Sequence, residues 1–167
     1  VSGTQGAHTF YNIKGKDCRD LLVNEFVFQD DPGNPFYAVV TAQDDNKATL
    51  RTLTDYTHSK NAIWGITARN REQNFVLNLL MNPEIDFVTL LGQAGTGKTL
   101  LTLAAGLMQT LEHKLYTEII MTRVTVPVGE DIGFLPGTEE EKMSPWMGAL
   151  DDNLDVLNQS SEEGGEW

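Results

Sequence analysis

Residues 90–107 read LLGQAGTGKTLLTLAAGL, and the fold turns on this stretch. Within it, Gly92-Gln93-Ala94-Gly95-Thr96-Gly97-Lys98-Thr99 satisfies G-x-x-x-x-G-K-[ST] at every fixed position. The run before it, Asp86-Phe87-Val88-Thr89-Leu90-Leu91, reads as a buried strand. The run after it places Leu100, Leu101, Ala104, Leu107, Met108 and Leu111 at helical spacing, which predicts a helix from Lys98 to about His113. A glycine-rich turn between strand and helix curls so that successive backbone N–H groups point inward, and residues without Cβ allow the positive φ and close approach that this needs. The helix N-terminus adds its dipole, so the turn is expected to cradle phosphate oxygens. Lys98 is expected to reach the β and γ phosphates as a point charge, with the Thr99 hydroxyl on Mg²⁺. NTPases, small-molecule kinases and GTPases share this motif, so it selects no reaction by itself.

Working outward, Thr117-Glu118-Ile119-Ile120-Met121-Thr122 reads as a second strand. Strand, helix and strand within about 35 residues form a βαβ unit, for which parallel strands and a right-handed crossover are expected. The fold class is therefore α/β, a P-loop NTPase built on a parallel sheet. Upstream, ARNREQNFVLNLLMNP puts Phe75, Val76, Leu79 and Leu80 at helix spacing, with Asn70 as cap, Gln73 three residues on, and Pro83 as the stop. Residues 1–60 look β-rich: 24–28, 35–41 and 48–53 are runs of aromatic and β-branched residues, and Asp44-Asp45-Asn46 suits a hairpin turn. The expected division is a small β segment at 1–60 and a P-loop half-domain at 61–167. Beyond Arg123, VTVPVGEDIGFLPGT is a Gly- and Pro-rich loop. Thr138-Glu139-Glu140-Glu141 has the shape of a capping box, and Ser144-Pro145 opens a helical stretch with Trp146, Leu150, Leu154 and Leu157 on one face.

Composition sets outer bounds. A formal net charge of -12 argues against a chain whose whole surface grips nucleic acid, although the acids concentrate late and leave room for a local basic groove. No run of about 18 apolar residues and no basic-then-apolar start occurs, so neither a membrane span nor a signal peptide is expected. Cys18 is the only cysteine, which excludes an internal disulfide framework and suits a reducing cytoplasm. Val1 is not a start methionine, and SSEEGGEW closes no fold, so the chain is expected to be a piece cut at both ends.

Hydrolysis by a P-loop enzyme also needs an acid at the end of another strand to hold the Mg²⁺ shell. After Thr99 no apolar strand ends in Asp or Asp-Glu: VPVGED is interrupted by Pro and Gly, and LDDNLDVL reads as an amphipathic helix. Glu130 and Asp131 read as loop acids. By its own residues the chain is expected to bind nucleotide better than it turns it over. A non-hydrolysing assembly module is the alternative, and a small-molecule phosphotransferase is disfavoured because no Arg-rich lid follows the cradle.

RNREQNFVLNLL, DFVTLLGQAGTGKTLLTLAAGL and TEIIMTRVTVPVGEDIGFLPGTEEEKMSPWMGALDDNL together resemble the PhoH-like ATPases, in the longer form where a PIN-type ribonuclease domain precedes the ATPase. The resemblance runs from about Phe36 to Leu157. It implies a P-loop NTPase related to superfamily 1 helicases, ATP as the nucleotide, and RNA unwinding and cleavage as the work of the parent protein. By position, Gln73 resembles the glutamine that reads adenine, and Thr122 with Arg123 resembles a helicase segment that touches single-stranded nucleic acid. The residues alone allow Gln73 as a plain helix residue and Arg123 as a loop arginine paired with Glu130 or Asp131. The resemblance places the acidic strand end beyond Trp167 and the nuclease before Val1, and ring-forming relatives make homo-oligomers an expectation.

Overall fold

The computed structural model describes residues 3–5, 8–122 and 151–159, and these gather in two compact units. The first takes in residues 1–61 and 68–86, the second 62–67 and 87–167.

The first unit is a five-stranded, wholly antiparallel sheet. Its strands are β1 (Gly3–Gln5), β2 (His8–Lys14), β3 (Phe26–Gln29), β4 (Phe36–Asp44) and β5 (Lys47–Thr52), in the spatial order β1-β2-β5-β4-β3. Asp44 pairs with Lys47 across a two-residue turn, and Asp45 takes φ 45°, a left-handed value that Asp tolerates better than most residues. The expected hairpin is therefore present, and each of the three runs read as strands overlaps one, with ends that differ by one to three residues. β1 and β2 were not anticipated, although Thr9 to Lys14 supplies the aromatic and β-branched content of a strand.

Period-2 alternation splits the sheet into two faces. Ala38 and Val40 of β4, Ala48 and Leu50 of β5, and Cys18 from a short 3₁₀ turn at Lys16–Asp20 form one buried cluster, flanked by Tyr11, Ile13 and Val27. The lone cysteine is thus a small core hydrophobe. A register shift between Val40 and Ala42 keeps β4 paired while it bends.

The opposite face carries helix α1 (Arg71–Leu80). Phe75 stacks on Phe26 with ring centroids 4.2 Å apart and planes 6° from parallel, and meets Phe28 at 5.9 Å and Tyr37 at 6.3 Å. Arg71 lies over the Phe28 ring at 4.0 Å and pairs with Asp30, which also accepts the Tyr37 hydroxyl proton. That hydrogen bond, with burial and the Asp30 charge, pushes the Tyr37 pKa up. Two asparagines fasten the helix to the strap leaving β5. Buried Asn74 accepts from Tyr56 N–H at 2.9 Å, while Asn78 accepts from Thr54 N–H and donates to Thr54 C=O, as a neighbouring strand would. The buried line of α1 is therefore Asn74 and Leu77, with Phe75 beside it, rather than a purely apolar stripe.

In the second unit, helix α2 (Lys98–Leu107) continues through one π-type turn at Met108–Glu112, where His113 N–H bonds Met108 C=O. Its buried residues are Leu101, Leu103, Ala104, Ala105 and Gln109, while Leu111 is exposed, so the inward face is turned from the one the spacing suggested. Gly106 lets Ile119 close in: a Cβ there would lie 3.1 Å from Ile119 Cδ1. A helix at 151–159, α3, buries Leu157 completely. The predicted cap at Ser144-Pro145, Trp146, and the box at 138–141 lie outside the described residues.

The expected parallel βαβ unit is corrected here. Residues 86–91 and 117–122 flank α2 as the sequence required, but neither is a strand, and the only sheet among the described residues is antiparallel. A parallel strand needs a ladder partner and apolar cover on both faces. Neither segment has a ladder partner among the described residues, and Phe87, Leu91 and Ile120 stay 84%, 99% and 76% exposed. The hydrophobicity that reads as a buried strand is present, while its cover is not among the described residues.

Candidate functional site

The turn from Gly92 to Gly97 opens directly onto α2. Gly95 has φ 78° and Gly97 φ 84°, left-handed conformations that a Cβ would strain by about 1–2 kcal/mol. Gly92 differs: a Cβ there would meet only ordinary contacts, the nearest at 3.6 Å from Thr96 Oγ1. Gly97 is also the N-cap of α2, and as glycine it offers no side chain to the first helical N–H groups. Helices normally satisfy these donors with Ser, Thr, Asp or Asn. Leaving them uncapped, with the dipole behind them, suits an anion.

Lys98 is half-buried and turned back along the loop. Its ammonium donates to Gly92 C=O at 2.9 Å, Gln93 C=O at 2.5 Å and Thr96 Oγ1 at 3.1 Å, and Thr96 Oγ1 donates to Gln93 C=O at 2.9 Å. The lysine thereby ties both ends of the turn together, and its charge already sits within the curl. Thr99 is exposed in the first turn of α2. The described residues hold no group of three or more His, Cys, Asp or Glu able to form a metal site. Thr99 therefore suits Mg²⁺ that arrives on phosphates, since Mg²⁺ keeps most of its waters and takes few protein ligands.

Gln73 stands in the first compact unit and the glycine-rich turn in the second. Its side chain takes part in the cap of its own helix. Asn70 Oδ1 accepts from Gln73 N–H at 2.8 Å, and Gln73 Oε1 accepts from Arg69 N–H at 2.8 Å. This is a reciprocal helix cap close to the S/T-x-x-E/Q box, and the predicted capping role of Asn70 is confirmed by it. Thr122 is described and exposed, while Arg123, Glu130 and Asp131 fall outside the described residues. No helix among the described residues is long and apolar enough to cross a membrane.

A glycine turn with left-handed residues, one lysine and an uncapped helix start has the form that phosphate-loop folds use. Residues 65–163 match the PhoH-like protein family, and the chain belongs to it. Membership implies the P-loop NTPase fold. The chain is 44% identical over 142 residues to protein PhoH2 of Bacillus subtilis (strain 168), covering 84% of this chain and 31% of that protein. It is 46% identical over 96 residues to protein PhoH2 of Thermobispora bispora, covering 57% and 22%. Against protein PhoH of Escherichia coli (strain K12) it is 39% identical over 89 residues, covering 53% and 24%. The chain thus spans less than a third of the length of these relatives. No solved structure matches it.

Proposed function

We propose that this chain binds ATP with Mg²⁺, and that it is the nucleotide-gripping part of a PhoH-like ATPase. The observation that carries the reading is the turn at Gly92–Gly97, with two left-handed glycines feeding an uncapped helix and Lys98 already in the curl. In this reading the backbone N–H groups of Gly95 to Thr99 receive phosphate oxygens, Lys98 exchanges its loop carbonyls for phosphate, and the Thr99 hydroxyl joins the metal shell. Mg²⁺, when bound, would neutralise charge on the phosphoryl oxygens. Gln73 would read adenine by its amide, and Thr122 with Arg123 would touch RNA. The parent protein is proposed to be cytoplasmic and homo-oligomeric, to carry a PIN-type domain, and to couple its ATPase to RNA unwinding, like the helicases it resembles.

A second reading is a non-hydrolysing module in which ATP orders an interface. It is favoured by the lack of an apolar strand ending in an acid after Thr99. Phosphate release by this chain beside the full-length parent protein separates the two: release by the parent supports the ATPase reading, and none by either supports the module. This chain is expected to bind ATP and Mg²⁺ without measurable turnover, and release at about 1 s⁻¹ or faster, an ordinary enzymatic rate, would contradict a missing metal-holding acid.

A further inference from the structure

On the α1 side of the sheet, Arg51 sits on the central strand β5, opposite Phe10 of β2 and Val39 of β4. Its Nε is shielded from solvent and hydrogen-bonded to nothing, and it belongs to none of the ion pairs among the described residues. Arg51 as a whole is half-buried, but a shielded donor left without an acceptor is costly, and native proteins seldom keep one idle. It opens onto two adjoining spaces. One is a recess of about 110 Å³ walled by His8, Arg51, Tyr56, Asn78, Asn82 and Pro83. The other is a cleft of about 710 Å³ with Phe10, Phe26, Val39 and Leu79 in its walls, and Glu84 among its polar residues.

The free polar capacity converges on the recess. His8 Nδ1 donates to Thr52 C=O at 2.9 Å, which leaves Nε2 of the neutral ring as an acceptor among the groups that line the recess. Asn82 spends its oxygen on Glu84 N–H at 3.1 Å and keeps its NH₂ group, whereas Asn78 is wholly used on Thr54 and Asn74. The recess has the volume of roughly three or four waters, which is room for a single tetrahedral oxyanion. Glu84 lines the larger cleft and not the recess, so it does not oppose an anion there. The cleft falls within the size range of small-ligand sites, and its walls mix aromatic and aliphatic groups with polar ones such as Asn24 and Thr41.

We propose that this recess and cleft form a second ligand site, separate from the glycine-rich turn, for a phosphate monoester on a flat body of mixed polarity. Arg51 and Asn82 donate to the phosphate, His8 Nε2 accepts from its P–OH when the monoester is monoanionic, and Phe10, Phe26 and Leu79 wall the space for the body. A free nucleoside monophosphate and the 5′-phosphorylated end of a nucleic-acid strand both present this chemistry.

The test is calorimetry on the whole chain carrying Lys98→Ala, so that the cradle does not contribute, with AMP, adenosine and inorganic phosphate as probes. AMP is expected to bind at least tenfold more tightly than adenosine or phosphate, and adding Arg51→Gln is expected to weaken it at least tenfold with an unchanged circular dichroism spectrum. AMP binding no tighter than adenosine, or unaltered by Arg51→Gln, overturns the proposal. Should Arg51→Gln fail to fold, His8→Leu decides: severalfold weakening supports the site, and no change overturns it. Where the site stands, competition between AMP and a 5′-phosphorylated oligonucleotide names the source, either ranking being consistent with it.

Discussion

Gln73 is asked to do two things, and substitution can separate them. Its oxygen closes the α1 cap on Arg69 N–H, and its amide as a whole is proposed to read adenine. Gln73→Ala removes both functions. The lost cap is worth about 0.5–1 kcal/mol, because the orphaned N–H is exposed and water replaces the bond. Gln73→Glu keeps an oxygen for Arg69 and places a carboxylate in the first helical turn, where the dipole favours it by about 0.3–1 kcal/mol. It lacks the NH₂ donor that pairing with adenine N7 requires. A bidentate amide pair discriminates between bases by roughly 1–3 kcal/mol, or roughly fivefold to 150-fold in affinity. Thermal melts with ATP and GTP competition give both readouts. Gln73→Glu is expected to melt at or above the parent and to lose most of the preference for ATP, and Gln73→Ala to lose both stability and preference. An ATP preference unchanged in Gln73→Glu would refute the adenine role and leave Gln73 as a helix cap alone.

Further outcomes follow from packing and charge. Phe75→Ala removes the ring stacked on Phe26 at 4.2 Å and should cost roughly 2–4 kcal/mol, toward the low side for aromatic truncation because Phe75 is only half-buried; a urea midpoint equal to the parent's would contradict the packing of α1 on the sheet. Gly106→Ala gains about 0.5–1 kcal/mol of helix propensity, and Ile119, 41% exposed, can rotate from the 3.1 Å approach, so a higher melting temperature is expected and a lower one would mean that Ile119 is held fast. For Asp55, burial raises the pKa, but hydrogen bonds from the Thr57 hydroxyl and N–H outweigh it and the net shift is downward. A depressed carboxyl stabilises the fold above its unfolded value of about 3.9, and that contribution is lost as pH falls through the lower folded value. The melting-temperature gap between parent and Asp55→Asn should therefore narrow as pH drops from 5 toward 2; a gap independent of pH would show that Asp55 contributes nothing through its charge.

The left-handed glycine turn, α2 and the cap of α1 were legible because each rests on local chemistry. Glycines at positive φ, a helix period, and Asn followed three residues later by Gln are short-range signals. The Asp45 hairpin belongs with them. What was not legible depends on partners far away in the chain. Phe10–Lys14 pairs with Lys47–Arg51, a segment that begins more than thirty residues further on, and no local pattern names that partner. The Asn74 and Asn78 clamps look like polar residues on an amphipathic helix until Thr54 and Tyr56 are seen to need their amides. Arg51 sits in a run of Thr and Leu that reads as an ordinary strand, and its unpaired Nε is visible only in three dimensions. The misreading of 86–91 and 117–122 has the opposite origin. Their apolar content is the right signal for a buried parallel strand, but composition does not state whether a ladder partner and cover are at hand.

Lys98 carries the central claim, and calorimetric titration with ATP and Mg²⁺ tests it most directly. Charge-assisted hydrogen bonds contribute about 1.5–3 kcal/mol each, so Lys98→Ala should weaken ATP roughly tenfold to 150-fold if one such bond to phosphate is lost. The helix α2 should persist, because the Leu101 N–H to Gly97 C=O bond and the buried Leu101, Leu103 and Ala104 do not involve the ammonium. ATP bound equally well by the parent chain and by a folded Lys98→Ala variant would contradict the assignment of this turn as a phosphate cradle.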